Sequence, residues 1–318
     1  MSLKKVGEAI KRNRSFLISA HVNLEGDALG SELALARLLR KLGKKVYVVN
    51  QDKTPLLYNF LPGVKTIIQP NIRVRDFDVA LLVDCSNLDR IGSVKKLINK
   101  DKLVINIDHH VSNENFGGIN WVNPRASSAC EMVYEIFKKG KFKIDKDTAL
   151  LLYTGIMVDT GSFRYVNTTP ATHLAAADLL KYKISPEKIH NFVYASMPIG
   201  EVKMLSRLVT GFKMAKSGKI IWLVIKLGIV NEEKMRIDVT EYAFDFLRSI
   251  AGVEVAMIFR EMERNKVRVN FRSRGKVNVS QLAAVFGGGG HACASGCTIN
   301  RNLKTAQQLV FSRIKKLI

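Results

Sequence analysis

Apolar residues recur with two different spacings along the first half of the chain. Short apolar runs rich in β-branched residues are typical of buried strands, and longer stretches with apolar positions every three or four residues are typical of helices. The strand-like runs are 15–21, 45–50, 79–84 and 103–108, and the helix-like stretches are 28–42, 128–139, 146–157 and 171–182. Strands that alternate with helices predict an α/β fold, in which a mainly parallel sheet carries helices on both faces.

The pattern changes after Ser185-Pro186. Two helical stretches come first, at 186–194 and 199–210, and short strand-like runs separated by turn residues follow Gly211. These runs predict two antiparallel pairs, 212–215 with 220–225 and 253–261 with 266–272. We therefore predict three parts: a parallel-sheet domain at 1–185, a helical linker at 186–210 and a smaller α+β domain at 211–318.

Composition adds an expected class of partner. The 318 residues include 50 Lys and Arg against 28 Asp and Glu, a net charge of +22, which favours polyanions such as nucleic acid or nucleotide phosphates. Part of this excess is lysine on predicted helix faces, as at Lys138-Lys139, where a solvated surface is the alternative reading. Four cysteines without a CxxC pair are typical of reduced thiols, and we find neither a signal peptide nor an apolar run long enough to span a bilayer. We expect a cytoplasmic protein.

The tripeptide Asp108-His109-His110 follows the apolar run 103–107 directly. Neutral imidazole and carboxylate are preferred ligands for divalent transition metals. Taken alone, the three residues could equally begin a loop. Similar groups follow other predicted strands, and in an open parallel sheet ligands bind beyond the carboxyl ends of the strands. The groups that join this cluster are His21, Glu25, Asp27, Asp84 and Asp159.

Each of these residues has an alternative role. Asp27 could cap a helix, Asp84 could start a turn and His21 could be a buried histidine. Jointly they exceed what one divalent cation needs, which predicts two cations, and such a pair can clamp the attacking and leaving oxygens of an in-line phosphoryl displacement. Mixed imidazole and carboxylate ligands favour Mn²⁺ over Mg²⁺, with other divalent ions, including zinc, still chemically compatible.

A glycine-rich segment near the C-terminus predicts an anion-binding loop. Gly288, Gly289 and Gly290 carry no side chains, so a ligand could approach their backbone amides, and His291 adds a donor. A flexible linker is the alternative, which the apolar run before the segment argues against. Upstream, Arg272 offers a guanidinium group for phosphate contacts, and a solvated charge is its alternative.

Together these motifs resemble the DHH family of phosphoesterases with the DHH-associated C-terminal domain. The segment 21–31 is similar to the first family motif, Asp84 to the second, Asp108-His109-His110 to the third and Asp159-Thr160-Gly161 to the fourth. The segment 277–280 and the glycine-His loop are similar to the C-terminal signature. The resemblance covers nearly the whole chain and is closest to the nanoRNase and pAp-phosphatase branch, whose members degrade very short oligonucleotides and remove the 3′-phosphate from pAp.

The resemblance implies two Mn²⁺ ions, one held by His21, Glu25 and Asp84 and the other by Asp27, Asp84, His109 and Asp159. One departure stands out, because the first motif usually reads Pro-Asp where this chain has Leu24-Glu25. The longer glutamate could shift or weaken the first cation. We expect Asp84, His109 and His110 to act in catalysis, with Asp108 supporting His109 and His110 orienting or protonating near the leaving group. His110 could instead only support the ligand cluster.

The predicted function is hydrolysis of short oligonucleotides and dinucleotides such as pApA, together with dephosphorylation of pAp to AMP. Substrate would be held by Arg164, Arg272, Gly288, Gly289, Gly290 and His291, although Arg164 could equally form a structural salt bridge. The alternatives are a cyclic di-AMP phosphodiesterase, a RecJ-like single-strand exonuclease, a pyrophosphatase and a catalytically weak nucleotide- or RNA-binding protein. The expected partners are short RNA, dinucleotides and pAp, with no membrane; a homodimer is a further option.

Overall fold

This computed structural model describes residues 2–70, 74, 76–229 and 239–314, with Ser2 and His291 described by their backbone only. The chain divides into two compact units, Met1–Ser196 and Met197–Ile318. The two helices that were expected to form a linker lie one in each unit. Among the described residues, no helix combines the length and the apolar character that crossing a membrane requires.

The first unit is built on a six-stranded sheet with the order β3-β2-β1-β4-β5-β6, in which every pairing is parallel. The predicted parallel α/β architecture is confirmed. Its strands are β1 (Ser15–Ser19), β2 (Lys45–Val49), β3 (Ile67–Ile68), β4 (Val79–Val83), β5 (Leu103–Asp108) and β6 (Ile119–Val122). Its helices are α1 (Ser2–Arg12), α2 (Gly26–Lys41), α3 (Ala129–Lys139), α4 (Lys146–Asp159), α5 (Pro170–Leu180) and α6 (Pro186–Tyr194).

Alternate residues of each strand point to opposite faces of this sheet, and both faces are buried. Phe16, Leu81 and Ile105 pack into a large core with the α-helices. On the other face, Leu17 and Leu82 pack with a 3₁₀ segment at Leu88–Leu97, so this face is covered by a 3₁₀ helix. Buried on both sides, the central strands read as nearly continuous apolar runs, which is why the sequence pattern located them.

The second unit contains a mixed six-stranded sheet with the order β11-β12-β10-β9-β8-β7. The two predicted antiparallel pairs are confirmed as β7 with β8 and β9 with β10, whereas the parallel pairing of β8 with β9 had no local signal in the sequence. The strands are β7 (Lys213–Met214), β8 (Ile220–Ile225), β9 (Val255–Glu263), β10 (Lys266–Ser273), β11 (Gly289–His291) and β12 (Ala294–Ile299). The helices are α7 (Ile199–Thr210), α8 (Val239–Ser249), α9 (Val279–Ala284) and α10 (Leu303–Ile314).

Candidate metal centre

The six groups singled out as metal ligands meet at the carboxyl edge of the parallel sheet. His21 and Glu25 follow β1, Asp84 follows β4, His109 follows β5, and the set is completed by Asp27 in the first turn of α2 and Asp159 at the end of α4. Two triplets have ligand atoms that all lie within 4.8 Å of one another, namely His21, Glu25 and Asp84, and Asp27, His109 and Asp159. A third such triplet consists of Asp84, His109 and His110.

Asp84 belongs to the first triplet and also faces the second. Its Oδ2 atom is 3.2 Å from Nε2 of His21, and its Oδ1 atom is 3.4 Å from Nε2 of His109. The same nitrogen of His109 is 3.6 Å from Oδ2 of Asp159 and 4.0 Å from Oδ2 of Asp27. A carboxylate with one oxygen toward each group has the arrangement expected of a bridging ligand.

The surroundings of Asp84 fit a cation. The residue is almost completely buried, yet neither carboxylate oxygen has a hydrogen-bond partner among the described residues. Buried carboxylates are normally paired or coordinate a metal. Asp84 also has a φ of 54°, in the left-handed region that aspartate adopts infrequently. Nδ1 of His21 lies 2.7 Å from the carbonyl oxygen of Val22, and an Nδ1–H donated there leaves the Nε2 lone pair facing Asp84.

Asp27 is held by backbone amides. The amide of Ala129 donates to its Oδ2 at 2.7 Å, and the amide of Cys130 donates to its Oδ1 at 2.8 Å, both from the first turn of α3. Helix N-termini stabilise carboxylates because their first amides have no partner within the helix. Each oxygen of Asp27 keeps further acceptor capacity for a cation. No sequence pattern predicted this contact.

The close approach of α4 to α2 and α3 depends on Gly155. A Cβ at this position would lie 2.2 Å from Sγ of Cys130 and 2.9 Å from Oδ1 of Asp27. At Gly30, a Cβ would lie 2.5 Å from the carbonyl oxygen of Leu151. Glycine at both positions lets α2, α3 and α4 pack tightly enough for Asp27 and Asp159 to share one triplet.

Asp108 supports His110 and not His109, which corrects our expectation. Its Oδ1 atom lies 2.7 Å from Nδ1 of His110, and its Oδ2 accepts a hydrogen bond from Nδ2 of Asn113 at 2.6 Å. Residues 108 and 110 of the extended segment turn to the same side, so the carboxylate reaches the second imidazole. This arrangement fixes the Nδ1 proton of His110 toward Asp108.

Burial and mutual charge shift the pKa values of these groups strongly. Burial alone lowers the pKa of His21 and His109, but the nearby carboxylate of Asp84 outweighs it and raises the two pKa values to about 9 and about 10. Burial raises the pKa of Asp27 to about 7, with the charge of Asp84 adding to it. Burial also acts to raise the pKa of Asp84, but the two imidazoles hold it well below its usual range. Strongly shifted pKa values in a cluster of acids and imidazoles are typical of functional sites.

A further buried acid lies on α2. Glu32 is completely buried and accepts two hydrogen bonds from Nδ2 of Asn50, at 2.8 and 3.0 Å. Oδ1 of Asn50 in turn accepts from the amide of Ala20, the residue before His21. Burial raises the pKa of Glu32 to about 8, against the effects of Asn50 and His21. Sequence reasoning missed Glu32 because it lies within an ordinary helical pattern.

The residues predicted to hold substrate have contacts of their own. Arg164 is exposed, and its Nε donates to the carbonyl oxygen of Gly161 at 2.6 Å. Arg272 is paired with Glu241, and its guanidinium lies over the ring of Phe244 at 4.9 Å. The prediction that Arg272 binds substrate would therefore require it to exchange an internal partner.

The glycine-rich loop is part of the second sheet. Gly289 and Gly290 belong to β11, which pairs with β12. A Cβ at Gly288 would overlap the carbonyl oxygen of Gly296, and Gly290 has a φ of 136°. Packing at the first position and backbone conformation at the second therefore require glycine without any ligand. At Gly289, nothing lies within 4 Å of such an atom, and this glycine has room for a ligand. The side chain of His291 lies outside the described part of the chain.

Comparison with known proteins identifies two domains. The model of the DHH family N-terminal domain matches residues 15–156, and that of the DHHA1 domain matches residues 218–316. The first match contains every group of the metal cluster except Asp159, and the second contains the glycine-rich loop. The two matches leave α5, α6 and α7 between them.

Curated relatives resemble the chain along nearly its whole length. The bifunctional oligoribonuclease and PAP phosphatase NrnA of Thermus thermophilus is 28% identical over 316 residues, which covers 99% of this chain and 94% of the relative. The protein of the same name from Bacillus subtilis is 28% identical, covering 90% and 89% of the two chains. The crystal structure of an exopolyphosphatase-related protein from Bacteroides fragilis superposes with a TM-score of 0.90 at 26% identity, covering 98% of this chain and 94% of the other.

Proposed function

Since the chain belongs to the DHH family of phosphoesterases, we propose that it hydrolyses short oligoribonucleotides to mononucleotides and dephosphorylates pAp to AMP. The observation that carries this proposal is the pair of neighbouring ligand triplets. Asp84 belongs to one triplet and faces the other, an arrangement that suits two cations and phosphoester chemistry. The similarity to proteins named as oligoribonucleases and PAP phosphatases supports the choice of substrate.

In this proposal, His21, Glu25 and Asp84 hold one cation, and Asp27, Asp84, His109 and Asp159 hold the other. When bound, the two cations would lower the pKa of an attacking water and neutralise charge on the phosphoryl oxygens. Mn²⁺ is the expected metal because imidazole and carboxylate ligands are mixed. Asp27 and Asp84 are fixed by their burial, so the ligands need little reorganisation on binding.

His110 is proposed to pass a proton to the leaving ribose oxygen. Asp108 accepts from Nδ1, so Nε2 is the ring nitrogen left to exchange a proton with the substrate. The carboxylate of Asp108, itself held by Asn113, fixes the orientation of the ring. General acid catalysis of this kind typically contributes about 10²- to 10⁴-fold to the rate.

Substrate selection is proposed to involve the second unit. The residues proposed to contact the nucleotide are Arg164 in the first unit and Arg272, Gly288, Gly289, Gly290 and His291 in the second. The net charge of +22 supports an anionic substrate. Because Arg272 already pairs with Glu241, substrate phosphate would have to compete with that carboxylate.

The test is a parallel assay with Mn²⁺ of pAp, pApA, cyclic di-AMP, pyrophosphate and labelled RNA from two to about 24 nucleotides. We expect fast release from pAp and from the shortest RNAs, and little from the longest. Failure to release product from any phosphomonoester or phosphodiester would contradict the enzyme proposal. Equal rates on dinucleotides and the longest RNA would contradict the selection for length, and a preference for cyclic di-AMP would replace the proposed substrate.

A further inference from the structure

The first turn of α3 contacts two acids that are proposed to bind the same cation. Its amides at Ala129 and Cys130 hold the carboxylate of Asp27. Just before them, the carbonyl oxygen of Ser127 accepts a hydrogen bond from Nδ2 of Asn167 at 2.9 Å. The same Nδ2 lies 3.0 Å from the carbonyl oxygen of Asp159 and 3.5 Å from its Oδ2. Asn167 thus joins Asp159 to the turn that holds Asp27.

The turn itself is held by a buried acid outside the proposed ligand set. Oε2 of Glu131 accepts from the amide and the hydroxyl of Ser127, at 3.2 and 2.5 Å, and from the hydroxyl of Thr172 at 2.9 Å. Glu131 is 5% exposed and Thr172 is completely buried. These bonds leave the turn little freedom to move relative to α5, on which Thr172 lies.

Asn167 has a feature that stability alone does not explain. Its Oδ1 atom is buried and has no hydrogen-bond partner within the described ranges. An unsatisfied buried acceptor opposes folding, so a residue chosen only for packing would not carry one. Its Nδ2 donates to the carbonyl oxygen of Asp159, the last residue of α4, and so restrains a helix end that would otherwise fray.

We propose that Asn167 is a positioning residue for the second cation, acting through the Ser127 turn to fix Asp159 relative to Asp27. The inference rests on the proposed two-metal function. It assigns Glu131 and Thr172 to the same task, because they hold the turn that both ligands use. Partners of metal ligands typically change metal affinity or activity by about 10- to 100-fold when removed.

The test measures Mn²⁺ binding to the metal-depleted full-length protein by electron paramagnetic resonance titration, without substrate. In Asn167→Ala we expect one of two Mn²⁺ equivalents to bind about tenfold more weakly or worse, and the other to stay within about twofold of the unaltered protein. The matched control is Asn120→Ala, which removes an asparagine of β6 whose Nδ2 likewise donates to two carbonyl oxygens, those of Asn115 and Gly117, and to none of the proposed ligands. Turnover of Asn167→Ala should recover at saturating Mn²⁺.

A second variant covers the case in which Asn167→Ala fails to fold. Thr172→Val preserves shape and removes one bond to Glu131, and its control Thr154→Val removes a buried hydroxyl that donates to Leu150 within α4. Weakening of the same Mn²⁺ equivalent in Thr172→Val, but not in Thr154→Val, supports the inference. Unchanged binding of both equivalents in every folded variant, or equal losses in the controls, overturns it. If the unaltered protein binds fewer than two Mn²⁺, the proposed function itself fails.

Discussion

Nε2 of His21 lies 3.2 Å from Oδ2 of Asp84, and both side chains are almost completely buried. The two residues follow neighbouring parallel strands, so the sheet register brings them to the same edge. Asp84 reaches this position with a left-handed backbone, and neither of its carboxylate oxygens accepts a hydrogen bond from the described residues. The relationship makes Asp84 the residue on which both proposed metal sites depend.

We expect Asp84→Asn to lower turnover by about a thousandfold or more, because the amide loses the charge that both cations would share. The measurement is the initial rate on pAp and pApA at saturating Mn²⁺. Asp78→Asn is the control, since Asp78 lies just before the other end of β4 and bonds the amides of Arg14 and Ser15. Substantial activity in Asp84→Asn would rule out the bridging role.

Metal binding should release protons at neutral pH. With pKa values of about 9 and about 10, His21 and His109 are protonated at pH 7.5 before a cation binds, and imidazole must be neutral to act as a ligand. We therefore expect apparent Mn²⁺ affinity to rise with pH, about tenfold per unit for each displaced proton. Isothermal titration calorimetry in buffers of different ionisation enthalpy would count more than one proton. No proton release would contradict protonated His21 and His109 as the state that the cation displaces.

Glu25 is the proposed ligand with the most freedom. Its side chain is 45% exposed and lies 3.9 Å from Nε2 of His21, so it can adjust without disturbing the core. We expect Glu25→Gln to weaken one Mn²⁺ equivalent about tenfold, and Glu25→Asp to bind within about twofold of the unaltered protein or more tightly. Titration of the metal-depleted protein separates these cases. Equal affinity in Glu25→Gln would remove Glu25 from the ligand set.

Glu32 should make the folded state less stable as the pH rises. Its pKa is raised by burial from 4.5 to about 8, so the native protein favours the neutral acid and loses stability as the pH rises between these values. Glu32→Gln cannot ionise, and its stability relative to the unaltered protein should increase over this window by on the order of a few kcal/mol. Urea unfolding with a chelator present, at pH 5 and pH 8, measures the difference. A difference independent of pH would contradict a neutral Glu32.

Gly155→Ala should damage the proposed second site through packing. The added methyl would overlap Sγ of Cys130 on α3 and press on Asp27 of α2, so α4 must move away from both helices. We expect a loss of about 1–3 kcal/mol in unfolding free energy together with weaker Mn²⁺ binding. Gly7→Ala is the control, because nothing lies within 4 Å of a Cβ at that position of α1. Binding as tight as in the unaltered protein would mean that the contact tolerates a methyl group.

The sequence located what depends on local pattern. Buried parallel strands are short apolar runs, and the groups that follow them meet at one edge because parallel strands end on the same side. These two patterns alone predict that His21, Asp84 and His109 lie at the same edge of the sheet. The resemblance to a known family then divided the groups between two cations.

The sequence could not reveal contacts between distant segments. Nothing in the position of Asn167 indicates the turn that it holds, because its bond to Ser127 joins segments that are 40 residues apart. The pairing of Asp108 with His110 depends on how the chain turns after β5. The sequence position of a basic residue also does not show whether an acidic residue pairs with it in the fold. Arg272 pairs with Glu241, which is distant in the sequence.

The buried oxygens of Asp84 also bear on how long the folded chain survives. Acceptors buried without hydrogen bonds, on a residue in the left-handed conformation, oppose folding. A cation that binds the native chain and not the unfolded one offsets this cost by mass action. In the proposed function, the ion would then act as a folding ligand as well as a catalyst. Cellular supply of the metal would set how much of the protein persists, and chelation would expose it to proteolysis.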